Sequence, residues 1–274
     1  MKNLPIFPDL RNKNVLITGG HGFLGKQHVE AFAINKANVI IIDLVENTKF
    51  KNQIKKYDVN YLFFKCDITN KNSLIKIREI LKRKKSKIDI LVNNASVNYP
   101  PNRNKVKDLK LETFNYNFWI KDISVGLSGA LFATQVFGTE MCKHKSGVII
   151  NVASDLGVIA PNQNIYKNKY NKQFFVKPVS YSVVKHGIIG LTKYISTYWS
   201  KYNIRCNSIS PGGMESSEGK RSNKNIKSKI SKLIPLGRMS KYGEYQASIL
   251  YLASDASSYM TGNNLIVDGG RTVW

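Results

Sequence analysis

The stretch Thr18-Gly19-Gly20-His21-Gly22-Phe23-Leu24-Gly25 decides the fold. It follows Asn14-Val-Leu-Ile-Thr18, a buried strand in the making, and precedes an amphipathic run from about Leu24 to Asn35. Glycines between a strand and a helix let the backbone turn tightly and approach a pyrophosphate, which then rests on the helix N-terminus. The next apolar run, Val39-Ile-Ile-Ile-Asp43, ends in an acid 24 residues after Gly19. A carboxylate there accepts both ribose hydroxyls of an adenosine and repels a 2′-phosphate, so NAD is expected and NADP disfavoured. The alternative for Asp43 is a solvated acid at a strand end. Asp67, after the third strand, is placed to reach the adenine amino group, or to close an Asx turn over Asp67-Ile68-Thr69.

Outward from this turn, apolar runs at Tyr61–Phe64, Ile88–Val92, Gly147–Val152, Ile204–Ser208 and Asn264–Val267 bring the strands to seven. Helical patterns fall between them, at Asn70–Lys84, Glu112–Met141, Ser180–Lys201 and Lys241–Ser254. Continuous apolar strands separated by helices predict a Rossmann-like α/β fold: a doubly wound, seven-stranded parallel sheet in three α/β/α layers. No repeat or linker divides the chain, so residues 1–274 read as one dinucleotide-binding and catalytic domain.

With 274 residues and 42% hydrophobic content the chain can bury a full core. It holds no apolar stretch of membrane-spanning length, and its first residues lack a signal-peptide core, so a cytoplasmic protein is expected. Cys66, Cys142 and Cys206 have no metal-ligand spacing, so no metal is expected. The net charge is +24. Either the lysines decorate a solvated surface or they serve an anionic partner.

Six motifs carry a resemblance to the short-chain dehydrogenase/reductase family, single-domain branch, over essentially the whole chain. They are the glycine-rich turn, Asn93-Asn94-Ala95-Ser96, Asn151-Val-Ala-Ser154, Tyr181-Ser-Val-Val-Lys185, Pro211-Gly212-Gly213 and Val267-Asp268-Gly269-Gly270. The resemblance implies Ser154, Tyr181 and Lys185 as the catalytic set. It also implies a cofactor lined by Thr18, Gly19, Gly22, Phe23, Leu24, Gly25, Asp43, Asp67, Ile68, Asn94, Ala95, Tyr181, Lys185, Pro211, Gly212 and Met214, with Ser216 beside the pyrophosphate. A tyrosine is a poor base at neutral pH unless a cation stands near. Lys185, one helical turn on, supplies one, which makes Tyr181 a general base for alcohol oxidation and a general acid for ketone reduction. Alone, Tyr-x-x-x-Lys would read as a helix-surface pair.

Three departures from the family stand out. Phe23 occupies the place of the middle glycine of the single-domain branch. Gly126 stands where the family has an Asn that holds a relay water, which leaves Ser124, Ser128 or a repositioned water to serve. Ser154 and Tyr181 are 27 residues apart, about twice the usual interval. An insert at 160–178 and a lid at 213–233 are therefore expected over the substrate pocket. Together with the ending Gly-Gly-Arg-Thr-Val-Trp274, these features resemble dehydrogenases of bacterial flagellin modification and surface-sugar biosynthesis.

The loops Tyr99–Lys110, Pro161–Pro178 and Glu215–Lys232 hold 14 basic residues in 48 positions, against 42 in 274 overall, but only three acids. Arg103, Lys167, Lys169, Lys220 and Arg221 are thus candidates for an anionic substrate, and Asp155 is a further substrate candidate. The expected reaction is hydride exchange between NAD and a secondary alcohol or ketone of a sugar phosphate or nucleotide sugar. Alternatives are a reductase of a non-sugar ketone such as a 3-oxoacyl thioester, or a non-catalytic nucleotide sensor or nucleic-acid binder. The catalytic set argues against the last. A homotetramer or homodimer is expected, with no membrane or nucleic-acid partner.

Overall fold

The computed structural model describes residues 4–97, 106–215 and 224–274. Seven parallel strands, β1 (Asn14–Thr18), β2 (Asn38–Asp43), β3 (Tyr61–Lys65), β4 (Ile90–Asn93), β5 (Gly147–Val152), β6 (Ile204–Pro211) and β7 (Asn264–Val267), form one sheet. Their order is β3-β2-β1-β4-β5-β6-β7. The chain winds outward from β1 to β3, then returns to lay β4 against the other edge of β1. Adjacent crossovers therefore diverge between β1 and β4, and a crevice opens at the carboxyl ends of those strands.

Side chains alternate across the sheet, and both faces are covered. Val15, Ile17, Val39, Ile41, Val92 and Ile150 pack with α1 (Phe23–Ile34) and α9 (Gln246–Ala253). Leu16, Ile40, Ile42, Leu91 and Ile149 pack on the opposite face with α3 (Lys71–Arg83), a long helical rod and α7 (Val179–Trp199). The two cores explain why these strands read as unbroken apolar runs. α2 (Thr48–Lys55) is a helix the sequence pattern did not mark. It buries only Phe50 and Ile54 and starts on the Asn47 side chain, which caps the Phe50 amide.

The rod departs from the expected helix over Glu112–Met141. Glu112 lies in a 3-10 turn, and the rod runs from α4 (Tyr116–Ile123) through α5 (Gly129–Ala133) to α6 (Thr139–His144). π-helical turns at Ser124–Ser128 and Thr134–Gly138 join the three pieces. Strand β6 extends three residues beyond its expected end, and Ile88 and Asp89 precede β4 rather than opening it.

The 160–178 segment is not a plain polar loop. A 3-10 turn at Gln163–Tyr166 and a bridge between Lys167 and Gln173 shape it. Its Ile165, Tyr166 and Phe175 bury a small core of their own with Leu109 and Ile226. Ile226 comes from α8 (Lys224–Ser231), a helix within the stretch expected to be a lid loop. Among the described residues, no helix is long and apolar enough to cross a membrane.

Candidate active site

The carboxyl ends of β1 and β2 hold the glycine-rich turn. Gly19 has φ +64°, a left-handed conformation that favours glycine, and a Cβ there would come 2.8 Å from the Ala95 Cα. A Cβ at Gly25 would collide with the Gly19 carbonyl oxygen, so this glycine lets α1 close onto the turn. Asn94 holds the turn from below, donating its amide N–H groups to the Thr18 and Gly19 carbonyls at 3.0 and 2.9 Å. The Thr18 hydroxyl accepts from the Asn94 and Ala95 amides in return. Gly22, Phe23 and Leu24 open α1, whose first-turn N–H groups have no intrahelical acceptor.

The Asp43 carboxylate accepts from the amides of His21 and Leu44 at 2.9 and 2.7 Å, which fixes it at the mouth of the turn. This cradle, shaped for backbone approach and edged by a fixed carboxylate, fits an adenosine dinucleotide without a 2′-phosphate. Asp67 does close the Asx turn: its Oδ1 accepts from the Thr69 amide and hydroxyl. The Ile68 side chain is buried in the core, so its main chain is what it can offer a cofactor. Beyond β6, the Gly212 amide donates to Val267, its carbonyl accepts from the Tyr245 hydroxyl, and Met214 Sδ accepts from Gln27. Pro211 ends β6. Ser216, Lys220, Arg221 and Arg103 lie outside the described residues.

Ser154, Tyr181 and Lys185 come together at the end of β5 and the first turns of α7. Ser154 follows the strand and caps the short turn Asp155–Gly157, accepting from the Leu156 amide at 3.2 Å. Its Oγ sits close enough to the Tyr181 phenol to oppose the rise that burial gives it, while its own proton is donated to Asp155. Lys185, buried, donates to the Val152 carbonyl at 2.9 Å, which holds its Nζ 5.8 Å from the Tyr181 ring centre. Burial lowers the Lys185 ammonium to about 8, and the nearby Lys177 charge adds to this. Burial also raises the Tyr181 phenol, with Asp155 adding to the rise and Ser154 opposing it.

Asp155, expected as a further substrate residue, lies beside Ser154. It is buried, its Oδ2 accepts from Arg271 at 2.6 Å, and its Oδ1 accepts from the Ser154 hydroxyl at 2.8 Å. Both of its oxygens are thus held within the protein, one of them on Ser154. Lys167 and Lys169 lie toward the outer turn of the insert, where Lys169 covers Tyr170. Among the described residues, no contact joins either lysine to Ser154, Tyr181 or Lys185.

Three residues that sequence reasoning passed over enter the site. Lys177 stands on the Tyr181 ring, Arg271 anchors Asp155, and Asp122 accepts a short hydrogen bond from Ser180 beside Tyr181. Lys177 precedes Tyr181 by the same four residues that separate Tyr181 from Lys185, but Pro178 between them argues against a helical pair. Gly126 is explained by space: a Cβ there would lie 2.5 Å from Val184 Cγ1, so the rod and α7 leave no room for an Asn.

The family described as enoyl-(acyl carrier protein) reductase matches residues 22–272. An NAD-dependent glycerol dehydrogenase of Listeria innocua is 33% identical over 97% of this chain and 96% of its own. The chain belongs to the short-chain dehydrogenase/reductase family. A sorbose reductase of Candida albicans is 31% identical over 96% of this chain and 88% of its own. The structure of a short-chain dehydrogenase from Leptospira borgpetersenii with bound NAD+ superposes with a TM-score of 0.80, at 29% identity over 96% of this chain and 93% of that one. As a short-chain dehydrogenase/reductase, the chain is an oxidoreductase of alcohol and ketone groups, and NAD is the cofactor its Asp43 suits.

Proposed function

We propose that this short-chain dehydrogenase/reductase oxidises a secondary hydroxyl, or reduces the matching ketone, of a polyhydroxylated carbohydrate-like substrate. The observation that carries the reading is the meeting of Ser154, Tyr181 and Lys185 at the carboxyl end of β5, on the rim that also bears the glycine turn and Asp43. The relatives named for glycerol and sorbose support a polyol or ketose class. Within it we favour a sugar phosphate or nucleotide sugar used in surface-glycan synthesis, on the excess of basic residues in the sequence stretches 99–110, 161–178 and 215–232.

In this reading the first turn of α1 and Gly19 receive the pyrophosphate, Asp43 the adenosine ribose, and Asn94 and Ala95 keep the turn in shape. NAD supplies the hydride acceptor when bound. Ser154 and the Tyr181 hydroxyl hold the substrate oxygen. In oxidation, Tyr181 as phenolate takes the hydroxyl proton; in reduction, as phenol, it returns one. The fixed carboxylate of Asp155 keeps Ser154 aimed while the substrate competes for the Ser154 proton. Lys185 lends its charge to the phenolate. The insert and the stretch around α8 cover this pocket as parts of a single 1–274 domain. We also infer a homo-oligomer, built through the outer face of α7, where Tyr194 and Tyr198 stack and lie exposed.

Purified protein with NAD and a panel of polyols, ketoses, sugar phosphates, nucleotide sugars and a 3-oxoacyl thioester tests the reading through NADH absorbance. Turnover is expected on a polyhydroxylated member, and Tyr181→Phe should reduce kcat by about 10²-fold or more. Activity confined to the thioester, or undiminished in Tyr181→Phe, would overturn it.

A further inference from the structure

The insert delivers a second ammonium to the proton-transfer group. Gln163 clamps the main chain of residue 177 with both ends of its amide: Nε2 donates to the Lys177 carbonyl at 3.0 Å, and Oε1 accepts from the Lys177 amide at 2.9 Å. Pro178 then turns the chain into α7. Fixed in this way, the Lys177 Nζ stands 3.6 Å from the centre of the Tyr181 ring, nearer than the Lys185 Nζ at 5.8 Å. An ammonium over an aromatic face is held by the ring quadrupole. The phenol oxygen lies one ring radius and one C–O bond from that centre, which leaves it within about 6 Å of the cation, where an opposite charge shifts a pKa.

The charges around Lys177 leave it unspent. Tyr181 and Lys185 face it from α7, and Asp122 acts on it from α4. Asp155 and Arg271 face it from beyond β5 and from the C-terminal segment, and Tyr166 stands near both of them within the insert. Asp155 is already paired with Arg271 at 2.6 Å, and Asp122 accepts from Ser180. No carboxylate among the described residues forms an ion pair with Lys177.

We propose that Lys177 is a positioning residue of the proton transfer, a second cation that, with Lys185, stabilises the Tyr181 phenolate. This rests on the reading of Tyr181 as the acid–base group. Gly126 takes away the usual relay amide of the family, and the insert that lengthens the Ser154–Tyr181 interval returns a charge to the same phenol. The inference has a built-in pH limit. Burial lowers Lys177 to about 8, so its charge can help only a phenolate formed below that pH, and a parent Tyr181 that titrates above it with NAD+ present overturns the proposal.

The test reads Tyr181 directly. Protein carrying ¹³C at the tyrosine ζ carbon is titrated by NMR with NAD+ present, and the Tyr181 signal is the one missing from Tyr181→Phe. In Lys177→Met the phenol midpoint should rise by about one pH unit or more, whereas Lys177→Arg should keep it near that of the parent protein. With any alcohol from the panel that turns over, the acid limb of kcat/KM for oxidation should move upward by the same amount. The deficit is about 10-fold near neutral pH and closes as the parent Lys177 itself loses its proton. If Lys177→Met does not fold, Lys177→Gln takes its place. Equal midpoints in parent and Met variant overturn the proposal. So does an equal rise in the Met and Arg variants, which would mark a packing role. A Tyr181→Phe protein that keeps its activity sinks the reading of Tyr181 instead, and leaves the titration able to speak for Lys177.

Discussion

Gly126→Ala should destabilise the protein, although the same change in most helices does the reverse. Replacing glycine by alanine inside a helix ordinarily gains about 1 kcal/mol from backbone entropy and propensity. Here the new Cβ would meet Val184 Cγ1 at 2.5 Å, and Val184 is β-branched, buried and limited in its rotamers on α7. Overpacking of a closed core costs about 1–3 kcal/mol. The clash term wins, with a net loss of about 1 kcal/mol, or a melting temperature about 2–4 °C lower. Urea unfolding at constant m-value measures it. Val184→Ala in the same chain removes the colliding methyl, so the double-mutant cycle should show a favourable coupling of about 0.5–3 kcal/mol. A stabilising Gly126→Ala, or a cycle with no coupling, would refute the argument that packing against α7 excludes a side chain at 126.

Asp43→Asn removes the charge of the cradle and, since its Nδ2 cannot accept, one of the two main-chain hydrogen bonds that hold it, so the ratio of kcat/KM with NADPH to that with NADH should rise about 10-fold. An unchanged ratio would mean that Asp43 does not face the adenosine ribose. His28, fully buried in α1 with neither ring nitrogen hydrogen-bonded among the described residues, is pushed down to about 3 by burial. The unfolded chain takes up that proton near pH 6.5, so stability is full above this pH and falls as pH drops toward 3. About 2 kcal/mol is lost by pH 5, and His28→Leu should flatten that slope in urea titrations at the two pH values.

The sheet was legible because its inner strands are buried on both faces. Val15, Leu16 and Ile17 alternate between two cores, and an unbroken apolar run is the only pattern that satisfies both. The same logic hid α2. With only Phe50 and Ile54 reaching the core, its eight residues look polar, and its start depends on a single Asn47 cap. The π turns of the rod were equally hidden; they hold Gly126 and Gly138, where an added Cβ would meet Val184 and Trp199, contacts with no local period.

The site divides along the same line. Tyr181 and Lys185 share a helix face by their spacing, and the glycine turn lies between a strand and a helix, but it was the resemblance to the family that joined Ser154 and the turn to the pair. Lys177, Arg271 and Asp122 reach the same place from an extended segment, the C-terminal stretch and the rod, and no spacing rule connects them. The insert read as polar because its lysines and asparagines outnumber Ile165, Tyr166, Phe174 and Phe175. Those four are nevertheless enough, with Leu109 and Ile226 from elsewhere in the chain, to close a small core. That core is what makes Lys177 matter. A lysine on a solvated loop would be free to turn to water, whereas one held by Gln163 beside packed aromatics is kept on the Tyr181 ring. The distribution of lysines along the sequence pointed to Lys167 and Lys169, which lie toward the outer turn. The packing selects the lysine nearest the phenol, so the charge that bears on the chemistry is set by the apolar residues around it and not by the size of the +24 total.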